Sequence, residues 1–524
     1  MLRQYNEAKA QARDALLLFR LGDFYELFYE DAKIASQILG ITLTSRAKAD
    51  ERVPMAGVPY HAARQYIARL VAAGHKVAVC DQMEEPAPGK TLVRREIVRL
   101  VTPGTLLDDD HLDARSAVWL ASVAVDGPRA ALALLDASTG ELRALPPGPF
   151  ESAVDELSRA RPREVLVPET LLGTLAAATV RRASGAVRIE GRPPRSDADA
   201  LLKRHLGVAT LDGYGLSDPL SISAAAEALA YLQETQRSAA RHVVGIAVEH
   251  PSNALWIDPS AVQNLELFRG PDGRRDGTLL ATIDHTVTAT GGRLLARWIA
   301  APLTDPAAIG ARLDAVEELS QASVVREDLR EALSGVLDLE RILGRLAVAQ
   351  GTPRDLSGLR VSLDAAPRLA SILETRASTR LRELCPPLRA PAGLRDLLAS
   401  ALADEVAPGR EPGFVRSGFR RDLDELTDLA HGGRAAIASL EAQEKARTGI
   451  QSLKVRYNRV SGFYLEVTKP NLHLVPADYQ RRSSTVGAER FVTPSLVEHE
   501  ARVLSAEERR AALELEIFED LRGA

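Results

Sequence analysis

A chain of 524 residues, 45% hydrophobic and 26% charged, has the make-up of a folded globular protein, and its length calls for three or four domains. No stretch reaches the roughly 18 uninterrupted apolar residues of a membrane span. Only two cysteines, Cys80 and Cys385, occur, far apart and without metal-spaced neighbours, which excludes a disulfide framework and a cysteine zinc site and points to buried thiols in a reducing cytoplasm. A net charge of −5 leaves the partner undecided, because nucleic-acid binding needs a local basic surface and not a basic total.

The start, MLRQYNEAKAQARD, is polar and lacks an apolar signal segment, so secretion is not expected. Next, "DALLLFRLGDFYELF" reads as two extended segments broken at Gly22-Asp23. "EDAKIASQILG" predicts a helix ending at Gly40 and "HAARQYIARLVAAG" another ending at Gly74. "HKVAVCDQ" and "REIVRLVTPGT" read as strands, which completes a small α/β domain over 1–111. From 112 to 251 three strand-like runs separated by DGP and STG form a meander, followed by helix and strand around "EVLVPE" and a surface loop at "GRPPRSDADA".

Beyond 252 apolar residues recur at three- and four-residue spacing, as in "GGRLLARWIA" and "LDLERILGRLAVA". Leu423, Leu426, Ala430, Gly433, Ile437 and Leu440 form a coiled-coil-like stripe on a long helix weakened at Gly432-Gly433. "LKVRYNRVSGFYLEVTK" and "AERFVT" return to strand chemistry, with a turn at Ser461-Gly462. A second long helix then opens with Thr493 as N-cap and Pro494 at its first position. The β segment is expected at the tip of a helical hairpin, and the last helix is still running at Leu521. The expected fold class is multidomain, α/β in the first half and mainly α in the second.

Within "RLGDFYELFYEDAK" the two-residue strand period puts Phe24, Glu26 and Phe28 on one face and Tyr25, Leu27 and Tyr29 on the other. One reading is an aromatic core with Glu26 at its edge. The other makes an exposed Phe a wedge for a base step, worth about 1–3 kcal/mol of stacking per base, with the carboxyl as its polar partner.

"LLLFRLGDFYELFYEDAKIAS", "VPMAGVPYHAARQYIARLVAAGHKVAVCDQ" and "VTPGT" closely resemble the mismatch-recognition domain of the MutS family of bacterial DNA mismatch repair proteins. The resemblance continues through "TIDHTVTATGGRLLARWIAAPL", "LDLERILGRLA", "SLKVRYNRVSGFYLEV" and "AERFVTPSLVEHE". It implies a recognition domain (1–111), an RNase H-like connector (112–251), a helical core and lever (252–432), a clamp (433–491) and a returning lever helix (492–524) cut off before the family's ATPase domain. It also implies that Phe24 and Glu26 form the Phe-x-Glu motif that enters the minor groove at a mispair. Lys454, Arg456, Asn458, Arg459, Arg481 and Arg482 are the candidate backbone contacts of the clamp. Two departures fall there: Arg456 replaces a usual Gly, and Val486-Gly487 stand where several relatives carry Lys-Asn.

No P-loop is present, since Glu84, just before "EPAPGKTL", stands where the first glycine belongs; this chain is therefore not expected to be an enzyme or to hold a cofactor. ATP and Mg²⁺, a homodimer and a MutL-like partner are implied for the full-length family member. Mispaired or looped double-stranded DNA in the cytoplasm, at the nucleoid, is the implied target. Two other readings stand beside this one: an RNase H-type metal nuclease using Asp136, and a non-mismatch DNA clamp of the same superfamily, which would lack Phe-x-Glu. Asp136 before Ser-Thr-Gly also reads as a turn residue, and His61 and His285 read as structural.

Overall fold

The computed structural model describes residues 1–48, 51–84, 93–107, 113–249, 254–389, 392–407, 409, 412–458, 462–485 and 487–524. Two compact units are present, one made of Met1–Gly351 and Val361–Arg389, the other of Thr352–Arg360 and Ala390–Ala524.

The first unit opens with α1 (Leu2–Gln11), β1 (Ala15–Leu21), β2 (Phe24–Phe28), α2 (Tyr29–Leu39), β3 (Thr44–Lys48), β4 (Glu51–Pro59), α3 (Ala63–Ala72), β5 (Lys76–Gln82) and β6 (Arg95–Val101). The strands form one sheet in the order β3-β4-β2-β1-β5-β6, with β1 and β5 parallel. Leu21 pairs directly with Phe24, so Gly22-Asp23 is a two-residue hairpin turn, and Gly22 supplies the positive φ of 59° that it needs. Leu16, Leu18, Tyr25 and Leu27 pack under α2 and α3 on one face, while Leu17, Phe19 and Phe28 pack under α1 on the other. Cys80 is buried there, and burial pushes its thiol up to about 12.

Three features depart from the sequence reading. The polar start is helical, because Tyr5, Ala8 and Ala12 lie close enough to one stripe to dock on the sheet although the rest is mostly polar. Strands β3 and β4 add an antiparallel pair that local pattern did not mark. Tyr29 does not share a strand face with Tyr25 and Leu27: it begins α2 with φ of 55°, and its ring lies 6.1 Å from Tyr5.

A second sheet follows, from β7 (Leu120–Asp126), β8 (Arg129–Asp136), β9 (Glu141–Pro149), α4 (Phe150–Ala160), β10 (Glu164–Pro168), α5 (Leu175–Ser184), β11 (Arg188–Arg192), α6 (Ala198–Leu206), α7 (Pro219–Gln236) and β12 (Ala247–Val248). Its order is β11-β10-β7-β8-β9-β12. The apolar helix α7, with Ala224, Ala225, Ala228, Leu229 and Leu232 buried, covers one face; Leu157 of α4 and Val180 of α5 cover the other. The "GRPPRSDADA" loop is tied down, with Arg192 and Arg195 both paired to Glu227 and Glu234 of α7, and its end opens α6.

Helices then take over: α8 (Pro259–Asn264), α9 (Leu279–Ile283), α10 (Ala289–Ala300), α11 (Pro306–Gln321), α12 (Ser323–Ser334), α13 (Leu339–Ala347), α14 (Pro353–Glu374), α15 (Thr379–Arg382) and α16 (Cys385–Leu388). The buried Arg341 of α13 fastens them to the second sheet's domain, donating to Ser138 Oγ at 3.2 Å and to the carbonyls of Asp113 and Ser116 at 3.1 and 2.9 Å.

The second unit holds α17 (Ala392–Ala401), α18 (Arg421–Thr448), β13 (Lys454–Asn458), β14 (Gly462–Thr468), β15 (Gln480–Ser484), β16 (Ala488–Val492) and α19 (Pro494–Gly523). Helix α18 runs through Gly432-Gly433 unbroken, and Leu423, Leu426, Ala430, Ile437 and Leu440 are buried along it. It packs antiparallel to α19: Arg420 meets Glu516 at one end, and Ile437 and Leu440 cluster with Leu496 and Val503 at the other. Thr493 caps α19, its hydroxyl accepting from Leu496 N at 3.2 Å. At this end sits the four-stranded antiparallel sheet, in the order β13-β14-β16-β15.

Candidate nucleic-acid interface

Phe24, Glu26 and Phe28 occupy one face of β2, and their surroundings differ along it. Phe28 is fully buried, with the Tyr5 ring edge-on at 5.0 Å. Glu26 is half-buried, with Phe19 and Gly57 as its strand partners. Phe24 is 47% exposed, between Leu21 and Pro59. Helix α1 covers only one end of this face, so the strand passes from core to surface within five residues. Gly57 faces the pair from β4, where a Cβ would sit in ordinary van der Waals contact, 3.8 Å from both Phe24 Cδ1 and Glu26 Cγ. An exposed ring beside a carboxyl, at the end of a rigid hairpin, has the chemistry to stack on a base and to make a polar contact with its edge.

On the opposite face, the turn end of the hairpin carries a tied polar cluster beside the core. Tyr25 donates its phenol to Asp81 Oδ2 at 3.0 Å, and burial together with that carboxylate pushes the phenol's pKa up. Arg20 lies 3.7 Å from Asp81 and stacks over the Tyr60 ring at 3.3 Å.

The clamp candidates fall into two groups. Lys454, Arg456 and Asn458 alternate along β13 and so share one face of the small sheet, which Glu466 and Arg490 continue across β14 and β16. Arg481 lies on the other face, in register with Phe491, and Arg482 is the extra residue of a bulge. Acids meet these cations: Arg456 pairs with Glu466 at 3.1 Å, Arg481 with Glu489 at 3.1 Å and Arg482 with Glu500 at 4.0 Å. Neither these acids nor Arg490, stacked 4.5 Å over Tyr464, stood out in the sequence. Arg459, Val486 and the GKT lookalike after Glu84 lie outside the described residues.

Also missed was Glu164, which explains the "VTPGT" segment. This fully buried carboxyl accepts from Thr102 Oγ1 at 2.5 Å, Gly104 N at 3.0 Å and Tyr231 Oη at 2.8 Å, joining the first sheet's domain to the second. Burial pushes its pKa up against those bonds. Gly104 is required by close approach, since a Cβ there would lie 2.9 Å from Leu120 Cδ1 and 3.0 Å from Glu164 Cβ. Lys76 strengthens the same junction through Asp14 at 2.8 Å and Glu190 at 3.0 Å.

Asp136 is a turn residue. It is buried, one oxygen accepting from Ser138 N and Oγ at 2.9 and 2.6 Å and the other from Val118 N at 3.0 Å. Among the described residues no group of three or more His, Cys, Asp or Glu side chains is placed to hold a metal ion, and no helix is long and apolar enough to cross a membrane.

Comparison with known protein families matches the chain in three consecutive pieces: MutS domain I over residues 1–110, MutS domain II over 118–244 and MutS domain III over 260–524. The chain is 54% identical over 527 residues to the DNA mismatch repair protein MutS of Anaeromyxobacter dehalogenans (strain 2CP-C), covering 100% of this chain and 60% of that protein. It is 48% identical to the protein of that name from Myxococcus xanthus (strain DK1622), with the same coverage, and 45% identical to that of Symbiobacterium thermophilum, with 100% and 61% covered. The chain thus spans about 60% of the length of these curated relatives. With one domain model covering residues 260–524 and two more covering most of the remainder, the chain belongs to the MutS family.

Proposed function

We propose that this chain recognises mispaired or looped duplex DNA, with Phe24 as the wedge and Glu26 as its polar partner at a kinked site. The observation that carries this reading is the half-exposed Phe24 ring at the open end of a strand whose other end is locked in the core. A mispair lowers the cost of unstacking and bending, so a wedge discriminates by deformability before it reads any base. On this reading the first sheet is the recognition domain, the second the RNase H-like connector, the helices the core and levers, and the four-stranded sheet the clamp. Lys454, Arg456 and Asn458 then track phosphates from one clamp face, with Arg459, Arg481 and Arg482 supplementing them. Phosphate contacts of that kind position the duplex without reading its sequence.

The remaining family properties belong to the same proposal. ATP and Mg²⁺ act in a further domain of the full-length relatives, which also supports the homodimer and the MutL-like partner, and the protein works on nucleoid DNA in the cytoplasm. A nuclease centred on Asp136 finds no support, because both of its oxygens are occupied by the Ser138 turn and the Val118 amide.

The test is binding to matched and mispaired duplexes by the wild-type chain and Phe24→Ala. Loss of one stacked base, worth about 1–3 kcal/mol, predicts a 5- to 150-fold smaller preference for the mispair. Equal preference in both proteins overturns the assignment. Glu26→Gln should keep or tighten overall binding while weakening the preference, and a marked loss of affinity for all DNA counts against the role given to Glu26.

A further inference from the structure

We infer that Arg20 and Tyr60 are positioning residues that aim Phe24, by bracketing the Gly22-Asp23 turn from both sides; this rests on the wedge reading above. Phe24 is half-exposed, so its direction is set by the backbone of the turn that precedes it more than by packing on its ring. That backbone has two anchors. Tyr60 donates its amide to the carbonyl of Asp23 at 2.8 Å, and Arg20 Nε donates to the carbonyl of Gly22. The two anchoring residues are joined to each other, the Arg20 guanidinium lying 3.3 Å from the centre of the Tyr60 ring.

The stack is itself held in place. Asp81 Oδ1 lies 3.7 Å from Arg20 Nη1, while its other oxygen takes the Tyr25 phenol at 3.0 Å, and the Tyr25 and Tyr60 rings are 5.7 Å apart. Arg95 Nε fixes the Arg20 carbonyl at 2.7 Å. Arg20 is therefore largely shielded, with 17% of its side chain exposed, and its planar group is committed to the ring and not to solvent. A force on the Phe24 ring from a bending duplex passes through the turn into this cluster, which resists displacement because each member has a second partner. Loss of the stack leaves Phe24 present but free to swing, and a swinging wedge pays ordering entropy on each insertion.

The experiment compares Arg20→Gln, Tyr60→Ala, Tyr60→Phe and Phe24→Ala in this chain, using a matched duplex and a duplex with one mispair flanked by 2-aminopurine, whose fluorescence reports unstacking. Thermal midpoints are recorded for each. A cation–π stack of this kind predicts an about two- to thirtyfold fall in mispair preference for Arg20→Gln and Tyr60→Ala. The fluorescence rise on binding should shrink with it, matched-duplex affinity should hold, and Tyr60→Phe, which keeps the ring, should restore both readouts. If Phe24→Ala loses the preference while Arg20→Gln and Tyr60→Ala retain preference and fluorescence, the inference fails and the wedge stands. If Phe24→Ala keeps the preference, the wedge reading fails and this inference with it. Equal losses in Tyr60→Phe and Tyr60→Ala, with lowered thermal midpoints, assign the pair a merely structural role and overturn the proposal.

Discussion

Replacing Glu164 by Ala should loosen the junction between the first two domains. Three donors converge on its carboxyl, from Thr102, Gly104 and Tyr231. The Thr102 hydroxyl has an alternative, because Thr105 Oγ1 lies 2.8 Å away, but the amide of Gly104 and the phenol of Tyr231 lose their acceptor inside a buried site. A buried donor left unpaired costs about 1–3 kcal/mol, so the two together cost about 2–6 kcal/mol. A chain of several domains does not unfold in one step, so the loss is best read locally. Amide hydrogen exchange in the Thr102–Thr105 turn and in β10 should accelerate by a factor matching that energy, while β13–β16 keeps its protection. A local change below about 1 kcal/mol would refute the claim that the carboxyl satisfies these groups.

Three further outcomes follow from the same geometry. The Glu164 carboxyl has its pKa raised by burial above the reference value of 4.5, so its contribution to stability is full below that value and is lost as pH rises through the folded-state pKa. The advantage in thermal midpoint of the wild type over Glu164→Gln should therefore shrink as pH is raised. Glu466→Gln removes the partner of Arg456, and should tighten matched-duplex binding and steepen its salt dependence by about 0.9 in log–log slope if one phosphate contact is gained. Gly462→Ala puts a methyl 1.8 Å from Glu500 Oε1 at a φ of 62°, breaking the bond from Phe463 N to that oxygen; about 2–4 kcal/mol of local stability should be lost, read by exchange in β14.

What could be read from the sequence was what depends on near neighbours. The stripe from Leu423 to Leu440 is legible because the spacing that marks a helix face is also the contact surface, and Gly22 is legible because the turn's φ is its own requirement. Phe24 and Phe28 have the same period and residue type, yet one is half-exposed and the other buried. The difference is Tyr5, 23 positions before Phe28, on a helix whose apolar stripe is too short to announce itself. Glu164 is hidden for the same reason: its partners stand 62 and 67 positions away, and alone it reads as a polar start to a strand.

The proposed clamp carries this lesson into function. Its cations were visible as residues, but their acids and their division between two sheet faces depend on the register of β13, β14, β15 and β16. An arginine already paired to a glutamate gains less from a phosphate than a solvated one, because one partner is exchanged for another. On the proposed reading the clamp therefore holds matched duplex weakly, leaving the mispair preference to Phe24 and the turn that aims it. Glu466→Gln and Arg20→Gln separate the two contributions: the first should raise affinity for all duplexes and leave their ratio alone, the second should change the ratio and leave matched-duplex affinity alone. A shift of the ratio by Glu466→Gln would mean that the proposed clamp takes part in discrimination.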